Sequence, residues 1–231
     1  MLSSHGSMPT AALLLFFSLL APAATPSRLD QALSSIGPAT TIQVTVNPEP
    51  TSTLRSVLAP LADLVAKGES TTMGGYNAAN RGRASDLGRD GLSAVFGGRD
   101  CSEITIGEIL LAQGQRRLHA AGRYQIIGIT MPMAVRSAGL SGADMFSPEN
   151  QDRLFLALLK NKRPLVWLYI NGLSGNGLGA ADAMSREWSS IAYWDGRSYY
   201  GGGDRAHVSR EEILSELEQT RERMRSHTQH P

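Results

Sequence analysis

Residues 54–69 read LRSVLAPLADLVAKGE, and their spacing decides the class of fold. Leu54, Val57, Leu58, Leu61, Leu64 and Val65 follow the i, i+3, i+4, i+7 rule of a helix with one apolar face. Pro60 cannot sit unbroken inside a helix, so it is expected in the first turn of one running to about Lys67, with Gly68 ending it. Glu69 comes one residue later. If the helix persists that far, Glu69 stacks on Val65 and Leu61 and points a carboxylate at apolar surface. Burial and the helix C-terminus both disfavour its negative charge, and a carboxyl kept protonated near neutral pH is what a general acid requires.

Outward from that helix the pattern stays helical. Thr105 and Glu108 form a capping box that opens a helix with Ile106, Ile109 and Leu110 inward. A short helix is expected after Thr130, with Pro132 in its first turn. Ser147-Pro148-Glu149-Asn150 starts another, whose stripe is Gln151, Leu154, Phe155, Leu158 and Leu159. The glycine-rich joint Gly172–Gly179 leads to a helix carrying Leu178, Ala181, Met184 and Trp188. Ser209 and Glu212 cap a final helix with Ile213, Leu214, Leu217 and Met224 on a thin apolar side. Residues 70–100 hold no helix period and are read as an irregular or small β segment between the first two helices. The expected class is mainly α (α+β).

Composition narrows the partners. Over 231 residues, 22 Lys+Arg against 21 Asp+Glu give a net charge of +1, so binding of nucleic acid through bulk charge is not expected. A single cysteine, Cys101, excludes an internal disulfide framework. Histidines 5, 119, 207, 227 and 230 are scattered without zinc-motif spacing, so no metal or other cofactor is expected. No Gly-x-Ser-x-Gly elbow occurs, and the Gly172–Gly179 run lacks the lysine of a phosphate loop. No apolar run is long enough for an ordinary membrane span. Ala11–Ala21 is apolar except for Ser18, and Ala21-Pro22-Ala23 follows as a small-x-small site. Residues 1–24 are therefore expected to be a signal peptide or short anchor, which would place the protein in the periplasm or outside the cell. Residues 25–52, with one alternating run at Thr41–Val46, read as a linker or N-terminal embellishment. Residues 53–205 are expected to form the catalytic domain, and 206–231 a charged C-terminal helix and tail.

Gly122-Arg123-Tyr124-Gln125, followed by Ile126 and Ile127, is the second candidate site. Glycine allows close backbone approach, tyrosine offers a ring face and a hydroxyl, and glutamine both donates and accepts. Such groups recognise sugars. They equally suit a turn before a buried segment, with Tyr124 in the core.

The order of these blocks resembles the lambda-type phage endolysins, lytic transglycosylases of the lysozyme superfamily. A helix-ending Glu69 is followed by Gly122-Arg123-Tyr124-Gln125, then Phe146-Ser147-Pro148 with Gln151-Asp152, then Trp188 before Tyr199-Tyr200-Gly201. The resemblance spans roughly Leu58 to Gly203. It implies a lysozyme-like fold that binds peptidoglycan glycan strands in a cleft, as a monomer, and cleaves between N-acetylmuramic acid and N-acetylglucosamine. It implies that Glu69 protonates the leaving oxygen and then acts as a base, that Tyr124 and Gln125 line the cleft, and that Tyr200 lies on its wall. A hydrolase would need a second carboxylate about 5–9.5 Å away. Asp86, Asp90 and Asp100 are candidates, with Asp86 preferred, so hydrolysis and transglycosylation both stay open. A non-catalytic wall-binding module and a chitinase-like enzyme are the competing readings.

Overall fold

Seven helices and one small sheet make up the described residues of the computed structural model, 51–82, 91–201 and 204–229. All of these belong to one compact unit, Pro48–Pro231. The readings of residues 1–50 and of 83–90, Asp86 and Asp90 included, lie outside the described residues. No helix among the described residues is long and apolar enough to cross a membrane.

The first helix, α1 (Thr51–Glu69), runs through Pro60 and does not stop at Gly68. This corrects both expected boundaries. An interior proline costs a helix about 3 kcal/mol. Leu58, Leu61 and Val65 are buried, each contributing about 1.5–3 kcal/mol. Packing therefore outweighs the break, and Pro60 faces solvent. Gly68 stays within the helix, and its lack of a side chain admits Ser190: a Cβ there would lie 2.5 Å from both Cβ and Oγ of Ser190.

The strands are β1 (Ala79–Asn80), β2 (Ala120–Ala121) and β3 (Ile126–Ile127), antiparallel in the order β1-β2-β3. Ala79 pairs with Ala121, and Ala121 with Ile126. Only β1 lies between the first two helices in sequence; β2 and β3 come after α2 (Ile106–Gly114). The expected single β segment is thus split, and the described part of residues 70–103 carries one-turn helices at 71–73, 75–77, 92–94 and 101–103.

The remaining helices are α3 (Met131–Ser137), α4 (Pro148–Ala157), α5 (Pro164–Ile170), α6 (Gly177–Ser185) and α7 (Arg210–Gln229). The expected caps form. Thr105 and Glu108 satisfy each other's backbone N–H at the start of α2, Ser147 caps α4, and Ser209 and Glu212 do the same for α7. The stripe from Gln151 to Leu159 is buried as read. Leu178 is not: it is exposed at the first turn of α6, whose inner face is Ala180, Ala181 and Met184. A π turn, Leu158–Lys162, and helix α5 were not foreseen, because the continuous apolar run PLVWLYI has no face to read. The C-terminal helix α7 packs against α1, α5 and α6 and so belongs to the core assembly. An ion pair from Lys67 to Glu212, 2.9 Å, joins the end of α1 to the start of α7.

Candidate functional site

Because α1 continues to its last possible residue, Glu69 points where the 3.6 period sends it, onto the face shared with Leu61 and Val65. The partner it meets there is Ser190. The Ser190 hydroxyl donates to Glu69 Oε1 at 2.6 Å and the Ser190 N–H donates to the same oxygen at 3.2 Å. Glu69 Oε2 has no hydrogen-bond partner among the described residues. Burial holds the carboxyl above its ordinary range. The two Ser190 bonds pull it back, the charge of Asp204 adds to the rise, and His207 opposes it. Such a carboxyl can give a proton from Oε2 to an acceptor oxygen and later take one back, while Oε1 stays anchored.

Ser190 is fixed in turn by the chain after it. Its carbonyl accepts from the N–H groups of His207, 2.7 Å, and Val208, 3.0 Å, and Ile191 bridges Val208 in parallel. Gly68 permits the contact, since any side chain there would displace Ser190. Ser190 lies 121 residues from Glu69 and carried no signal in the sequence. Only its place in the structure marks it.

The Gly122–Gln125 block is the loop joining β2 to β3. Ser70, next to Glu69, donates through its hydroxyl to the Arg123 carbonyl at 2.7 Å. Trp188 Nε1 donates to the Tyr124 carbonyl at 3.1 Å. The loop and the candidate acid are therefore neighbours, held together by side chains on both sides. The role of Tyr124 is nevertheless not the expected one. Its ring is buried and stacks on Phe155 at 4.5 Å between centroids, and its hydroxyl donates to Asp152 at 2.6 Å. Burial, then the Asp152 carboxylate, pushes the phenol far up. Tyr124 is part of the core, as the alternative reading of the block has it, and its ring borders only the cavity between α1 and α4.

Gly122 has φ +74° and a Cβ there would overlap Gln151 Oε1. Gln151 fills the space a ligand was expected to approach. It accepts from Arg123 N–H at 2.9 Å and donates to the Tyr76 and Phe146 carbonyls at 3.0 and 2.8 Å. Gln151-Asp152 thus meets Gly122–Tyr124 directly, and the two sequence blocks form one buried hydrogen-bonded clamp. Gln125 is partly exposed with φ +45°, and its side-chain amide donates to the Gly122 carbonyl at 2.8 Å. Its remaining amide oxygen can still accept from a ligand.

Tyr200 is half exposed, and its hydroxyl donates to the Arg186 carbonyl at 2.8 Å. Burial first, then the charge of Glu187, raises its phenol, and the charge of Glu69 adds to that rise. Tyr200 therefore lies within electrostatic reach of Glu69. Around it stands an exposed aromatic array. Tyr199 meets Tyr200 edge-on at 5.5 Å and Tyr193 at 5.2 Å, and Trp194 lies beyond at 6.4 Å from Tyr193. Trp188 is core and Trp194 is exposed.

Asp100 is a cap: its carboxylate accepts from Ser102 N–H at 2.7 Å. Cys101 is buried, its thiol pushed up by burial. Among the described residues no group of three or more His, Cys, Asp or Glu side chains is placed to hold a metal ion. A cavity of about 460 Å³ lies on the far side of Arg123, between α1 and α4. On its wall Arg55 pairs with Asp152 and Glu149, and Arg123 with Asp63; Glu69 is not among its lining residues. No protein-family model, curated protein or solved structure matches the chain.

Proposed function

We propose that this chain cleaves the β-1,4 bond between N-acetylmuramic acid and N-acetylglucosamine in bacterial peptidoglycan, using Glu69 as general acid and then general base on a lysozyme-like fold. One observation carries the reading. Burial raises the pKa of Glu69, Ser190 anchors it through Oε1, Oε2 has no hydrogen-bond partner among the described residues, and the partly exposed Tyr200 lies within electrostatic reach. In the forward step Glu69 gives its proton to the glycosidic oxygen as the bond to the sugar carbon breaks. The carboxylate so formed then takes a proton from the hydroxyl that attacks that carbon, and Glu69 regains its starting state. The attacking hydroxyl belongs either to water or to the sugar itself. Exposed tyrosines suit sugar rings, whose C–H faces stack on them while hydroxyls meet polar edges. An enzyme acting on the wall would work outside the cytoplasm, in line with the apolar stretch at Ala11–Ala21.

Turbidity loss of bacterial walls, compared between the wild type and Glu69→Gln, tests the reading. Clearing by the wild type alone supports it, and equal clearing by both would sink the assignment. Mass analysis of the products separates the mechanisms: anhydro ends mean transglycosylation and reducing ends mean hydrolysis. Binding to insoluble walls without product would favour a non-catalytic module. Release of chitooligosaccharides without wall activity would favour a chitinase.

A further inference from the structure

The tyrosine wall carries a cation whose arrangement neither core packing nor the acid requires. Arg186 follows the last residue of α6 and is exposed. Its guanidinium carbon lies 5.5 Å from the Tyr193 ring centroid and 5.4 Å from that of Tyr199. Its Nη2 donates to the Tyr193 hydroxyl at 2.8 Å. Nε and Nη1 have no hydrogen-bond partner among the described residues. An exposed arginine usually gains little from a single pose, because holding it still costs side-chain entropy. Here two rings and one hydroxyl hold the plane, and part of the fork is left open.

Two further cations meet at Glu187, the residue after Arg186. The π turn at Leu158–Lys162 brings Lys162 and Arg163 to the same place, and such turns recur at functional sites. Lys162 Nζ lies 2.9 Å from Glu187 Oε1 and Arg163 Nε 2.7 Å from Glu187 Oε2. Lys162 also donates to the Thr130 hydroxyl at 2.7 Å. The backbone carbonyl of Arg186 accepts from Arg163 and, at 2.8 Å, from the Tyr200 hydroxyl. Lys162 and Arg163 thus set two positive charges against one carboxylate, that of Glu187. Asp182 is the acid whose charge reaches Arg186, and it is already bonded to Arg210 at 2.6 Å.

We propose that Arg186, held against the rings of Tyr193 and Tyr199, is a receptor for a carboxylate carried by the glycan strand. The inference rests on reading the neighbouring site as glycan-cleaving. A planar, pre-oriented fork matches a carboxylate and binds it with little further loss of freedom. In peptide-bearing strands that group is a carboxylate of the peptide, because the lactyl carboxyl of the muramic acid is tied up in the amide bond to it; the lactyl carboxylate is free only where the peptide has been removed. Chitin has neither, so this surface selects walls over chitin.

The experiment measures cleavage of three substrates: peptide-bearing strands, strands stripped of peptide by an amidase, and peptide-bearing strands whose carboxyls have been converted to neutral amides. The wild type is expected to lose about tenfold in rate on neutralisation, the worth of one charge-assisted contact. Arg186→Gln is expected to lose a similar factor on native strands and to become indifferent to neutralisation. Tyr193→Phe, which frees one edge of the fork, is expected to fall between the two. If stripped strands, whose lactyl carboxyl the amidase frees, are cleaved as well as native ones, the receptor accepts that carboxylate too; if they behave like neutralised strands, it requires the peptide's. Equal sensitivity to neutralisation in the wild type and Arg186→Gln would overturn the proposal, as would no sensitivity in the wild type. If the wild type cleaves nothing, the cleavage reading fails by itself. Co-sedimentation with native and neutralised walls then judges the receptor by the same comparison of the two proteins.

Discussion

Glu69 ends α1, and Glu108 sits in the first turn of α2, three residues past its N-cap. The residue type is the same; the surroundings pull in opposite directions. Arg99 lies 2.6 Å from Glu108 Oε1, while the Thr105 N–H and hydroxyl reach Oε2 at 2.9 and 3.0 Å. The Arg99 bond first, then those of Thr105, bring its carboxyl down to about 2. Every donor there favours the anion, and the helix N-terminus agrees with them. At Glu69 burial dominates, Ser190 serves only one oxygen, and the helix end carries the wrong sign for a negative charge. The contrast teaches that a glutamate becomes a structural anion or a reservoir for a proton according to how many donors meet its two oxygens.

The largest expected effect separates the two by activity. Glu69→Gln should lower the rate of muropeptide release by about 100-fold or more, the usual range for a lost general acid. Glu108→Gln should leave that rate unchanged. A matching fall in both variants would erase the distinction.

The steric support of each end comes next. Gly68→Ala would drive a methyl group into Ser190 and should destabilise the fold by about 1–3 kcal/mol in urea denaturation. It should also separate Ser190 from Glu69, and unaltered stability would mean that the close approach is not required. At the other end, Thr105→Ala removes the N-cap hydroxyl and should cost about 1 kcal/mol by the same measurement, with the rate of cleavage intact.

The smallest effect is a displacement of a pH profile. Glu69 works as an acid only while protonated, so the rate should fall as pH rises through its pKa. The Ser190 bonds lower that pKa. Ser190→Ala removes the hydroxyl bond, so the alkaline limb should move to higher pH. A limb that stays in place, or moves down, would show that Ser190 does not act on the ionisation of Glu69.

Much of the fold could be read where a signal is local. The Thr105–Glu108 box, the Ser147 cap and the Ser209–Glu212 pair each lie within a few residues, and each formed. The facing of Glu69 was legible for the same reason, because Leu61, Val65 and Glu69 share a period once the helix reaches that far. What failed was non-local. Pro60 is helical because its neighbours are buried, and the glycine at 68 is a space for Ser190, more than a hundred residues on, rather than a helix stop. For Tyr124 the sequence leaves a sugar contact and a core position both open; Asp152 satisfies its hydroxyl inside the core, a partner that no spacing rule could show. The charges around Glu187 depend on a π turn, which has no simple sequence signature.

The account stands on the protonation of Glu69, and that can be observed directly. A carboxyl-carbon NMR titration of the wild type, with Glu69→Gln and Glu108→Gln to assign the two signals, reads both groups in one sample. The expected result is a Glu69 midpoint above the ordinary glutamate value of about 4.3 and a Glu108 midpoint near 2. A Glu69 midpoint at or below the ordinary value would contradict the account, since the side chain would then hold no proton to give at the pH of a living wall.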